Sequence, residues 1–202
     1  ATEPVWHHGA MTRFRYFVAA SVDGYIADEH DSLEWLTTYD DYHVGFRDPA
    51  AAFLEEIGAV VMGADTYRWL STHMDDTGAP WPYENTPCWV FTHRELAAVP
   101  GADLTFIRGD VGEWAGDIAA DAGDQDVWVL GGGGLAGQLV DSGHLDELIL
   151  FTIPLLLGGG RPLASLRAPM GLSPTGSREF GRGVRETRYD VGKPPSVPHT
   201  GS

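Results

Sequence analysis

Cysteine and lysine are nearly absent from this chain of 202 residues, which holds one of each, Cys88 and Lys193. A single cysteine excludes an intrachain disulfide and a zinc site built from several thiolates, and it suits a reducing compartment, here the cytoplasm. Long hydrophobic runs are missing as well. The longest, residues 148–157, is broken by Pro154 and falls well short of the ~20 apolar residues of a bilayer-spanning helix. The N-terminus shows no basic segment followed by an apolar one, so no secretory signal is read there. Positive charge is scarce: 13 Lys and Arg stand against 29 Asp and Glu, for a formal net charge of −16. Such a field repels phosphate backbones, so nucleic acid and anionic membranes are not expected partners. The histidines show no paired ligand spacing, and no metal site is expected.

What remains is ordinary globular material, 43% hydrophobic and 21% charged, of a length that suits one domain. That domain is expected over 11–191. Met11 reads as a natural start, 1–10 as an added or disordered N-terminal segment, and the Pro- and Gly-rich 192–202 as a disordered tail. Apolar runs predict strands at 14–21, 59–62, 88–91, 104–107, 127–130 and 147–153. Helices are predicted from Asp48-Pro49 to about Ile57, after Gly63, after Asp110 with Val111, Trp114 and Ile118 on one face, and from the glycine run to about Ser142. Residues 28–48 and 71–87 read as loops, the first with one short helix, and 176–180 with 184–191 as a closing hairpin. Alternating strands and helices give an α/β fold with a mostly parallel sheet, made mixed by the hairpin.

Three strand ends carry chemistry. The strand VWVL runs into Gly131-Gly132-Gly133-Gly134 and then a helix. Four glycines are costly in chain entropy, and bare amides at a helix start make a phosphate site. Gly132, Gly134 and Gly137 also satisfy G-x-G-x-x-G, but no strand ending in an acidic residue follows at the distance a Rossmann fold needs. Val61-Met62-Gly63 leads into a helix start with Thr66, whose hydroxyl suits a phosphate oxygen or a helix cap. Trp89-Val90-Phe91 ends in Thr92, His93 and Arg94.

Together with Ala19-Ala20-Ser21-Val22-Asp23-Gly24-Tyr25-Ile26-Ala27, Asp31-Ser32-Leu33-Glu34-Trp35-Leu36, Leu145-Asp146-Glu147-Leu148 and Pro154 to Gly160, these motifs span about residues 13–191. They resemble the dihydrofolate-reductase-like superfamily, in particular the reductase domain of riboflavin biosynthesis and its stand-alone bacterial relatives. The resemblance implies a three-layer α/β/α fold with a mixed, mostly parallel central sheet and a C-terminal β-hairpin. It implies an NADPH-dependent reductase that passes hydride to a small heterocyclic or carbonyl substrate, in the manner of a 5-amino-6-(5-phosphoribosylamino)uracil reductase. Ala19 and Ile26 would border the nicotinamide, and Gly63, Thr66 and Gly131 to Gly134 the pyrophosphate. Thr92, His93 and Arg94 would lie near the 2′-phosphate. The Gly131-Gly132 peptide would be cis. Asp40, five residues after Trp35, would stand where folate reductases place their substrate carboxylate. Relatives commonly dimerise, and Leu148 to Ile153 is the expected edge or interface element.

The chain also departs from the pattern. Ala64 replaces an arginine that many dihydrofolate reductases set on the 2′-phosphate, leaving that task to Arg94. Ala136 stands where folate reductases carry an aromatic residue, and Asp48 to Gly58 lacks the arginines of the pathway enzyme. Pro87-Cys88 has no second cysteine, so no zinc deaminase accompanies the reductase. The alternative reading is a nucleotide-binding module without catalysis, acting as a sensor or partner protein.

Overall fold

The computed structural model describes residues 12–37, 39 and 47–192. Six strands run parallel: β1 (Phe14–Ser21), β3 (Ile57–Gly63), β4 (Cys88–Phe91), β5 (Leu104–Ile107), β6 (Asp126–Gly131) and β7 (Leu145–Ile153). They stand in the order β5-β4-β3-β6-β1-β7, and the antiparallel hairpin of β9 (Leu172–Glu179) and β10 (Arg185–Val191) continues the sheet beyond β7. A two-stranded sheet of β2 (Tyr25–Ala27) and β8 (Arg161–Pro162) lies apart. The helices are α1 (Glu34–Thr37), α2 (Arg47–Leu54), α3 (Ala64–Thr77), α4 (Ala115–Ala122) and α5 (Gly133–Asp141), with a 3-10 turn, Val111–Trp114, leading into α4.

Strand alternation sorts the core into two halves. Ala59 and Val61 of β3 pack with Tyr16, Val129, Ile118 and Leu139, under α4 and α5. Their neighbours Val60 and Met62 pack with Phe53, Tyr67 and Phe151, under α2 and α3. The result is the expected three-layer α/β/α arrangement with its mixed sheet and C-terminal hairpin.

Several boundaries differ from the sequence reading. α3 extends to Thr77, through residues read as loop, because Leu70 and Met74 prolong the stripe that Tyr67 begins. Gly78, at φ 69°, ends it as a left-handed cap whose N–H donates to the Met74 carbonyl. α2 stops at Leu54 instead of Ile57, because Ile57 and Gly58 already belong to β3. The expectation that Leu148 to Ile153 forms an edge is wrong: β7 is paired on both sides, with β1 and with β10, and its apolar length reflects burial on both faces. The sheet edges are β5 and β9. The Gly131-Gly132 peptide is trans, like every peptide bond described, and Gly132 turns the chain with φ 101° instead. The expectations for 1–10, for 193–202 and for Asp40 lie outside the described residues.

Candidate functional site

A cavity of about 710 Å³ opens at the carboxyl ends of β1, β3 and β6, where ligands sit in open α/β sheets. Its floor is the glycine turn. Gly131, Gly132, Gly133 and Gly134 all line it, together with Thr66 from the first turn of α3 and Ala19 and Ile26 from the first sequence motif. Thr66 and the turn face each other closely, since a Cβ on Gly131 would come to 3.1 Å from the Thr66 hydroxyl. Gly63 is the N-cap of α3 and Gly132 the N-cap of α5, and neither helix start has a side-chain cap. Two helix N-termini with open first-turn amides therefore flank one cleft.

A strap made by residues 158–165 holds this geometry. Asp23 accepts hydrogen bonds from the Ser21 hydroxyl (2.6 Å) and from the amides of Gly158 (2.7 Å) and Leu157 (3.1 Å). The Ser21 bond first, and the two amides after it, keep the Asp23 carboxyl down at about 2. The residue thus shapes the turn, as its place before Gly24 (φ 84°) suggested. From there the strap crosses the glycine turn. The Ser165 amide donates to the Gly133 carbonyl (3.0 Å), and the Tyr16 hydroxyl to that of Leu163 (3.0 Å). A Cβ on Gly133 would overlap the Pro162 carbonyl oxygen, and one on Gly137 that of Ser165. Gly134 has nothing within 4 Å of such a Cβ, so its side of the turn is open to the cavity.

The third expected strand end stands back from the cleft. Thr92 is buried, and its hydroxyl accepts from the Arg94 amide (2.9 Å); His93 is exposed. None of Thr92, His93 and Arg94 lines the cavity, but Arg94 donates to Asp65 (2.8 Å), which does. The sequence reading missed a second ion pair on the lining. Arg161 of β8 grips Asp31 through two nitrogens, and Asp31 sits at φ 61° in the loop after β2. The arginine's hydrogen bond, then its charge, hold the Asp31 carboxyl below the usual range. The two residues are 130 apart in the chain, so no local pattern announces the pair.

The family model for the RibD C-terminal domain matches residues 81–185, just over half of the chain. The chain belongs to that family. This RibD C-terminal domain is 28% identical to the uncharacterized protein YwjB of Bacillus subtilis, over 84% of its own length and 92% of the relative's. In structure it is similar to a Shewanella sp. PV-4 protein assigned to riboflavin biosynthesis, with TM-score 0.76, 24% identity, and 90% and 100% of the two chains covered. The diaminohydroxyphosphoribosylaminopyrimidine deaminase/5-amino-6-(5-phosphoribosylamino)uracil reductase of Thermotoga maritima matches with TM-score 0.64 and 19% identity; the match covers 90% of this chain and 57% of that one. Dihydrofolate reductase of Enterococcus faecalis, complexed with NADP(H), matches with TM-score 0.55 and 14% identity, over 91% and 98% of the chains. The RibD C-terminal domain therefore has the dihydrofolate-reductase-like fold.

Proposed function

We propose that this chain is an NADPH-dependent reductase of a small heterocyclic or carbonyl compound, of the riboflavin-pathway type. The observation that carries the reading is the pair of uncapped helix N-termini, at Thr66 and at Gly133-Gly134, facing one cavity. Two such ends at one cleft suit a pyrophosphate, and the bare glycines let it approach the backbone. The residues present fit the cofactor. Gly63, Thr66 and Gly131 to Gly134 would hold the pyrophosphate, and Ala19 and Ile26 are small or apolar enough to border a flat ring. Thr92, His93 and Arg94 lie one step outward, with Arg94 braced on Asp65 beside the 2′-phosphate position.

When bound, NADPH supplies the hydride, and the substrate takes one proton besides. Orientation within the cavity, and the exclusion of water by its apolar walls, fall to the protein. Asp31 is an unsuitable proton donor, because Arg161 keeps it ionised at neutral pH. We assign that task to Asp40. A cytoplasmic homodimer acting on a small molecule completes the proposal.

Titration with NADPH and with NADH, followed by quenching of the tryptophan fluorescence, tests it. Saturable binding that favours NADPH, with steady oxidation once an acceptor is added, is the expected result. Binding without turnover of any acceptor would leave the sensor reading, and binding of neither cofactor would remove the reductase altogether.

A further inference from the structure

Trp69 lies on α3, three residues after Thr66, so the two share a helix face. Its indole is 43% exposed, an unusual state for so large an apolar group, and it lines the cavity. The ring of His73 stacks on it, with centroids 5.4 Å apart and planes inclined by only 6°. One face of the indole is thus braced, and the side chain also lines the cavity. Around the same space stand Phe17 and Phe151, their rings 4.8 Å apart, with Leu36, Tyr39 and Ala50.

The charged groups on the lining are mostly acidic among the described residues: Asp31 and Asp65 stand against one arginine. Arg161 is the one base on the cavity lining among the described residues, and Asp31 already holds it through two nitrogens. A phosphate brought here would lose hydration, meet two carboxylates and have to displace one of them from its arginine. A flat uncharged ring would meet aromatic faces and lose little.

We propose that the substrate is a planar ring compound without a phosphate group, and that it stacks on Trp69. The proposal rests on the reductase reading above and narrows it: the ring chemistry of a pyrimidine reductase is kept, and the phosphorylated tail is excluded.

The test uses the full chain saturated with NADPH and two probes, 5-amino-6-(ribosylamino)uracil and its 5-phosphate, with NADPH oxidation as the readout. NADPH binding is measured separately from the cofactor's own emission. The unphosphorylated probe should be oxidant of choice, by about tenfold or more in kcat/KM. Trp69→Ala should raise its KM by roughly three- to tenfold, the worth of one aromatic contact, with little change in kcat. Trp69→Phe should restore most of that, and NADPH affinity should stay level in both variants, which also shows that they fold. Preference for the phosphorylated probe overturns the proposal. So does a Trp69→Ala variant that matches the parent, or reduction of neither probe by a protein that binds NADPH. Failure to bind NADPH at all would strike the reductase reading instead, so the two failures are distinguishable.

Discussion

At the scale of single residues, the glycine turn separates structure from binding. Gly133 and Gly134 are adjacent and look alike in the sequence, yet a Cβ on the first would overlap the Pro162 carbonyl and one on the second would meet open cavity. Gly133→Ala must push the strap away, and it should lower stability by about 1–3 kcal/mol, the range for overpacking. Gly134→Ala replaces a helical glycine and should raise stability by up to about 1 kcal/mol. Its methyl group would nonetheless occupy the proposed phosphate approach, so NADPH affinity should fall. Urea denaturation and cofactor titration of the two variants check both halves. This division was not legible in the sequence, which marked all four glycines for one reason. The Asp31–Arg161 pair was hidden for a related cause: its partners come together only when β2 meets β8. Asp23, by contrast, was readable, because its partner Ser21 and Gly24 are its near neighbours.

At the scale of elements, the buried end of β1 is tied down by charge. Arg15 is 3% exposed and bonds Glu147 of β7 (2.6 Å), Asp126 of β6 (3.2 Å) and Glu56, just before β3. Glu147, itself buried, also takes Arg13 (2.5 Å). Arg15→Met takes from Glu147 its buried partner and leaves it Arg13 and, at 4.0 Å, Arg188. The expected cost is about 3–5 kcal/mol, read as a lower midpoint in urea. Adding Glu147→Leu should recover part of that loss, because the buried carboxylate that lost its buried partner goes with it. Strands β2 and β8, three and two residues long, were not legible, whereas the six parallel strands were, since short apolar runs bounded by turns are plain in the chain. Their neighbours were not. The run from Leu148 to Ile153 looks the same whether a strand is an exposed edge or, as here, buried between two partners. The length of α3 was not legible because its second half is polar except for Met74, too sparse a stripe to outweigh a Ser-Thr-His run.

At the scale of the whole molecule, a net charge of −16 would confront the anionic cofactor proposed above. The general field opposes its approach, while Arg94 and the helix N-termini act only at close range. Raising ionic strength from about 0.01 to 0.15 M shortens the screening length from ~30 to ~8 Å and removes mainly the long-range term. The association rate of NADPH in stopped flow should therefore rise with salt. A falling rate would mean that the arginines near the cleft dominate even at a distance. The overall architecture was legible from the order of elements and the turn motifs, because each parallel crossover demands a helix.

The place of β1 between β6 and β7 has a consequence for how the chain is made. Phe14 pairs in register with Val127 and with Leu145, so the strand synthesised first finds its partners among those synthesised late. While the ribosome works through the intervening segments, FRYFVAAS is a sticky ribbon with both hydrogen-bonding edges bare. Its one charged residue is Arg15. The side chain that later vanishes into the ion network is, during that wait, the gatekeeper that discourages the nascent strand from joining a neighbour of its own kind.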